Sequence, residues 1–340
     1  VGIEPNGRRV SVKDVAAAAG VSLGTVSNVL NRPEKVLPAT REHVLAVIGD
    51  LGFVRNDAAR QLRAGTNHAV GMIVLDVRNP FFTDVAQGVE DRLGEHGRPL
   101  ILGNSGQDAR RELTYLDLFE EQRVSGLLIT PVGQVLPRLR RLRERGTAVV
   151  VVDRRTGARE FSSVAVDDKR GGRIGAQHLV DCGRRRIAFV GGPKGLSQVR
   201  HRLHGAQDVV DASPGTQLTY VETPTMDAVA GRQAAEQLLG LGKRSRPDAI
   251  FAGNDLIALG VLQALTLAGV RVPDDLAILG YDDIDFAASA AIPLSSVRQP
   301  REQLGNVAAD TLLEVIADPA ARVRDVVLEP ELVVRRSTAG

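Results

Sequence analysis

A single cysteine, Cys182, occurs in 340 residues, which excludes an internal disulfide and every zinc site built from several cysteines. No stretch is long and apolar enough for a spanning helix, and the opening "VGIEPNGRRV" lacks the apolar core of a signal peptide. A cytoplasmic protein is expected. Charge is nearly balanced at +2, so bulk charge announces no nucleic-acid partner. No phosphate-binding G-x-x-x-x-G-K motif and no G-x-S-x-G nucleophile turn is present. The nearest dinucleotide candidate, Gly191-Gly192-Pro193-Lys194-Gly195, has the wrong glycine spacing and an intruding proline. His201 and His204 flank Arg202 without further ligands nearby and read as helix histidines rather than a metal site. Aspartates at strand ends would suit a glycosidase pair only at a separation that sequence does not give. Catalysis is not expected, nor any metal or organic cofactor. What is present is 43% hydrophobic and 25% charged residues, the balance of a soluble globular chain long enough for two or three domains.

Residues 1–66 hold nine Lys or Arg against six acids, a mild local surplus. Within them three helical patterns follow one another. Val12 to Ala19 ends at Gly20, whose freedom at positive φ suits a tight turn. Ser22 caps the next pattern, in which Val26, Val29 and Leu30 make an apolar stripe opposite Gly24, Ser27, Asn28 and Asn31. A third begins near Pro38 and places Val44, Ile48 and Leu51 on one side. This spacing predicts a helix-turn-helix with a supporting helix. A helix that enters the major groove shows short donors and acceptors to base edges, so Ser22, Leu23, Gly24, Thr25, Ser27, Asn28 and Asn31 are candidate DNA contacts. The plainer alternative is a solvated helix face. "RNDAARQLRAG" then offers a short basic helix, with Leu62 and Arg63 placed to part a base step from the minor groove. A linker helix whose leucine packs on the main body is the alternative.

The blocks Asp14-Val15-Ala16, Ala19-Gly20-Val21-Ser22, Thr25-Val26-Ser27, Asn31, Thr40-Arg41, Leu51-Gly52-Phe53 and Ala58-Ala59-Arg60 together resemble the headpiece and hinge of LacI/GalR-type bacterial transcription repressors. The resemblance implies operator DNA as partner, with hinge leucines of two subunits entering a central base step. Leu62 holds that position here. Two residues depart from the family pattern. Leu37 stands where a helix-capping, phosphate-touching serine is usual, and Gly24 at a base-reading position has no side chain.

From residue 68 the texture changes. "AVGMIVLDV", "RPLILGN", "SGLLITPV" and "TAVVVVDRR" form one β-rich series; "RIAFVGG", "LTYVET", "DAIFAGND" and "LAILGYDD" form another. Helical patterns at 84–96, 112–123 and 255–268 lie between them. Alternation of strand and helix predicts two doubly wound parallel-sheet subdomains, with the tail from Ser295 returning across both. The expected layout is a DNA-binding domain over 1–54, a hinge helix over 55–66 and a core over 67–340. Within the core, one subdomain takes about 67–167 and 299–323, the other 168–298 and 324–340. This resembles the periplasmic-binding-protein-like core of the same repressor family.

Ligands of open α/β sheets bind beyond the carboxyl ends of strands. Those ends carry Asn79, Phe81, Phe82, Asp153, Arg154, Asp167, Asn254, Asp255, Asp282 and Gln299, with Arg202 at the start of a helix. Carboxylates and amides accept from hydroxyls, a guanidinium donates in a fixed fork, and an aromatic ring covers a sugar face. Individually, Asn254, Asp255 and Asp282 suit helix caps equally well, and the phenylalanines suit a core. "NPFF", "VDRR", Arg202 ahead of "LHG", "GNDLIALG", "GYDD" and "RQP" resemble the ligand-contacting set of ribose-binding proteins. That resemblance implies a pentose effector held by Asn79, Phe81, Phe82, Asp153, Arg154, Arg202, Asn254, Asp282 and Gln299. Leu196 stands where purine-responsive members of the repressor family carry an arginine, which argues against a purine. A nucleoside or hexose effector is the alternative; an exported sugar-binding protein or sugar-active enzyme is the alternative of another class. The family pattern for sugars implies release from DNA on binding. A two-fold operator implies a homodimer, and no leucine heptads follow "ELVVRRSTAG" to suggest a larger assembly.

Overall fold

The computed structural model describes residues 10–53, 68–157, 160–242 and 244–339, and the chain divides into two units between Thr66 and Asn67. In the first unit the Ser11 N–H and Oγ both engage the Asp14 carboxylate, at 2.7 and 2.6 Å. This opens the helix Val12–Ala18 by satisfying donors that have no partner within the helix. Gly20, at φ +63°, makes the turn. Ser22 Oγ then accepts from the Thr25 N–H at 3.0 Å and caps Leu23–Asn31. The third helix, Pro38–Asp50, carries proline in its first turn, but its N-cap is Leu37, whose side chain supplies no acceptor. Val15, Ala16, Val26, Val29 and Val44 close a small core between the three helices. The fold is a helix-turn-helix with its supporting helix.

The second unit contains two parallel sheets. The first is built from β1 (Val70–Val74), β2 (Leu100–Asn104), β3 (Gly126–Ile129), β4 (Ala148–Val152) and β5 (Ser162–Val166). The second is built from β6 (Arg186–Gly191), β7 (Gln217–Glu222), β8 (Ala249–Ala252), β9 (Ala277–Asp282) and β10 (Ser295–Arg298). β11 (Asp325–Leu328) completes the first sheet and β12 (Glu331–Val333) the second, giving orders β11-β5-β4-β3-β1-β2 and β12-β10-β9-β8-β6-β7. Among the described strands, only β12 runs antiparallel to its neighbour. β1, β3, β4, β8 and β9 are buried along their whole length, as continuous apolar strands must be when helices cover both faces of a sheet.

The expected return of the tail to the second subdomain at residue 324 is corrected by β11. Asp325–Leu328 pairs in register with Ser163–Val166, the Arg324 N–H donates to Ser162 Oγ at 3.1 Å, and Ser163 Oγ donates to Asp325. These bonds hold the segment on the first sheet, so the last crossing falls between Leu328 and Glu331. In all, the chain passes between the sheets three times, at 166–168, 298–301 and 328–331.

Helices pack on these sheets with their backbones close. Helix Asp168–Asp181 meets helix Ser197–Asp211 through Gly172 and Gly205. A Cβ on Gly172 would lie 2.0 Å from the Arg202 carbonyl oxygen, and one on Gly205 would lie 2.0 Å from that of Lys169. No described helix is long and apolar enough to cross a membrane.

Candidate effector cleft and DNA-reading helix

On Leu23–Asn31, the side opposite the buried Val26 and Val29 presents Ser22, Leu23, Gly24, Asn28 and Asn31 to solvent, with Thr25 and Ser27 half-buried. Ser22 Oγ is committed to the cap and lies 2.9 Å from Thr25 Oγ1. The Asn31 amide donates back to the Ser27 carbonyl at 2.9 Å. Leu23, Gly24 and Asn28 are therefore the exposed residues on this face without such a local role, and Leu23 is 48% exposed. Leu62 and Arg63, expected at a minor-groove step, lie outside the described residues.

The carboxyl ends of the two sheets face each other across a small pocket lined from both. From the first sheet, Asn79 caps the helix Pro80–Gly94 through the Phe81 N–H at 3.1 Å, which starts that helix earlier than its apolar spacing alone predicts. Phe81 and Phe82 follow in its first turn and form an edge-to-face pair at 5.0 Å on the pocket wall. Asp153 directly follows β4 at φ +58° and Asp282 ends β9 at φ +102°. Aspartates held at positive φ at facing strand ends mark a backbone shaped for a site rather than for local comfort.

Arg202 is the cation among these acids. It sits in the second turn of helix Ser197–Asp211, not at a helix start as the sequence suggested, and is 4% exposed. Its Nε donates to Asp168 Oδ1 at 2.7 Å and its Nη1 to the Gly253 carbonyl at 2.8 Å. The guanidinium also stacks 3.7 Å over the Tyr281 ring and lies 3.7 Å from Asp282 Oδ1. This guanidinium thus bonds Asp168, lies near Asp282 and acts on Asp153 through its charge alone. Burial pushes the Asp153 carboxyl up to about 8, the neighbouring charge of Asp168 adds to this, and Arg202 opposes it. Burial also raises Asp168 and Asp282, again against the pull of Arg202. Although burial alone would lower it, the Arg202 guanidinium is held above its ordinary range by these carboxylates.

Two side-chain bonds join the sheets across the pocket. Asn79 Nδ2 donates to Asp282 Oδ2 at 3.0 Å, and Gln198 Nε2 donates to Asp153 Oδ2 at 2.8 Å. Asp153 Oδ1 is buried and has no hydrogen-bond partner among the described residues.

Of the residues expected to meet an effector, Asn79, Phe81, Phe82, Asp153, Arg202, Asn254 and Asp282 line the pocket. Asn254 does so while capping helix Asp255–Leu267 and donating to the Met226 carbonyl at 3.0 Å. Arg154 and Gln299 are not among the lining residues. The Arg154 guanidinium donates to the Gly133 carbonyl at 3.2 Å. Gln299 is 1% exposed and donates to Asp282 Oδ1 at 2.7 Å, so it orients that carboxylate from behind. Asp167 caps the following helix, and Asp255 is wholly buried against Ser296 and the Ile284 N–H. Sequence reasoning missed Asp76, Gln107, Gln198 and Met226, which also line the pocket. Gln198 lies one helical turn before Arg202 and was within reach of an i, i+4 argument; Gln107 and Met226 stand on loops with no periodicity to mark them.

Residues 11–56 match the bacterial regulatory proteins of the lacI family, and residues 176–338 match the periplasmic binding protein-like domain. The chain is 33% identical over 330 residues to the HTH-type transcriptional repressor PurR of Photobacterium profundum, covering 96% of this chain and 98% of that one. It is 34% identical over 331 residues to the ribose operon repressor of Escherichia coli, covering 96% and 99%. Among solved structures, a LacI family transcriptional regulator from Enterococcus faecium with bound ribose superimposes with a TM-score of 0.73 at 30% identity, covering 80% of this chain and 98% of that one.

Proposed function

Because the chain belongs to the LacI family of bacterial regulatory proteins, and is a DNA-binding transcriptional repressor rather than an enzyme, we propose that it releases its operator when ribose or a closely related pentose fills the cleft between its two sheets. One observation carries this reading. Asp153 Oδ1 is buried with no hydrogen-bond partner among the described residues, in a pocket that Phe81, Phe82 and Arg202 also line. A sugar hydroxyl would donate to that oxygen while the ring lies against Phe81 and Phe82, the usual division between orienting polar groups and apolar wall. The likeness to a ribose operon repressor and to a ribose-bound regulator supports it.

A purine effector is the second reading, favoured by the similarity to a PurR repressor. Against it, Leu196 lines the pocket and brings no donor for a purine carbonyl. On the DNA side, Leu23, Gly24 and Asn28 would read base edges, and a homodimer would match a pseudo-palindromic operator. Coupling of the two sites needs little: a tenfold loss of operator affinity corresponds to about 1.4 kcal/mol of differential binding.

Calorimetry with ribose, other pentoses, hexoses, nucleosides and purine bases, paired with operator binding by fluorescence anisotropy, tests this. Ribose should bind in the micromolar range, lose that binding in Asp153→Ala, and lower operator affinity at least tenfold. Binding of purines alone would replace the pentose reading.

A further inference from the structure

Gln198 is the second residue of its helix, is 6% exposed, and faces the pocket one turn before Arg202. Its amide nitrogen donates to Asp153 twice, to the carbonyl oxygen at 2.9 Å and to Oδ2 at 2.8 Å. Both amide hydrogens are spent on one residue of the opposite sheet's lobe. An ionised carboxylate with both oxygens open accepts two neighbouring hydroxyls of a sugar, one on each oxygen. With Gln198 already on Oδ2, Oδ1 is the carboxylate oxygen without a partner among the described residues.

We infer that Gln198 is a specificity-determining residue: it takes on Asp153 the place of one ligand hydroxyl, so that the cleft accepts a sugar touching Asp153 through a single hydroxyl and rejects one carrying a further carbinol unit there. The inference rests on the reading of the cleft as a small-sugar site, and it makes Gln198, rather than the aspartate itself, the residue that sets ligand size. An amide bonded to a carboxylate is a good barrier for this purpose. Displacing it leaves the buried Gln198 amide without that acceptor, a cost that a wrong ligand must meet from its own contacts.

The test is calorimetric titration of the full chain, as wild type and as Gln198→Ala, with D-ribose, D-glucose and D-galactose. Gln198→Ser serves as a second variant, and far-UV circular dichroism reports the fold. Wild type should bind ribose at least tenfold more tightly than either hexose. In both variants that ratio should fall below threefold, chiefly through gained hexose affinity, with the far-UV circular dichroism of the folded chain retained. A ribose-to-hexose ratio within twofold of wild type in folded variants overturns the role of Gln198. A wild type that prefers a hexose overturns the pentose reading, yet Gln198 still stands if the variants shift the ratio further toward the hexose and falls if they do not. Binding of no sugar by any form overturns both.

Discussion

Arg202→Ala removes the guanidinium whose charge acts on three buried aspartates. The variant would leave Asp168 without its 2.7 Å partner, the Gly253 carbonyl without its donor and the Tyr281 ring without its stacked cation. Breaking one side of a buried ion pair costs about 3–5 kcal/mol. Part of that cost is recovered where the carboxylates bind protons, which fixes how it varies with pH. In the wild type, the carboxyls of Asp153, Asp168 and Asp282 are already raised in the folded state. Their contribution to stability is full below the ordinary aspartate range near 3.8 and is lost as pH climbs through the folded values, about 8 for Asp153. Removing Arg202 raises the folded values further and leaves the unfolded ones alone. The folded variant therefore holds more protons than the folded wild type, and its stability falls faster with rising pH. One extra proton corresponds to about 1.4 kcal/mol per pH unit, so the penalty should grow by about 1–3 kcal/mol between pH 6 and pH 8. Urea unfolding followed by far-UV circular dichroism at both pH values measures it. A penalty below about 1 kcal/mol at pH 8, or one that grows toward acid, would refute the shared-cation account.

Three shorter predictions accompany it. Gly205→Ala should cost about 1–3 kcal/mol by overpacking, since its Cβ would lie 2.0 Å from the Lys169 carbonyl oxygen. Because Gln198 and Arg202 ride on the same helix, calorimetry should also show weakened effector binding; an unchanged melting temperature would mean the helices simply part. Leu37→Ser supplies the missing N-cap acceptor and should stabilise the first unit by about 1 kcal/mol. Operator affinity should tighten with the same salt slope, because a neutral hydroxyl displaces no counterion; a headpiece that melts no higher defeats this. Effector binding should release a proton from Asp153, strengthening by up to about tenfold per pH unit between pH 6 and 8. Calorimetry in buffers of different ionisation enthalpy counts that proton, and a flat affinity profile or proton uptake contradicts it.

Most of the architecture was legible because it rests on local rules. Ser22 as cap, Gly20 as turn and the stripe of Val26 and Val29 lie within a few residues of one another, so periodicity alone placed the DNA-reading helix. The strand ends were legible for the same reason: continuous apolar runs stop where Asp153, Asn254 and Asp282 begin. What escaped depends on distant partners. Arg154 follows Asp153 in sequence, but its guanidinium donates to the carbonyl of Gly133, on another loop. Gln299 and Gln198 both serve aspartates far away in the chain, one from behind and one from across the pocket. β5 opens with two serines that look like loop and become buried only because Asp325 and the Arg324 N–H meet them.

The three crossings between the sheets carry a mechanical consequence. A single tether would let two lobes swing in any direction, whereas three separate straps, at 166–168, 298–301 and 328–331, restrict them largely to one bending axis. They also make covalent continuity redundant. A chain nicked at any one strap would keep its halves joined through the other two, with β11 and β12 still seated on different sheets. The lobes of this repressor are laced together rather than hung from a thread.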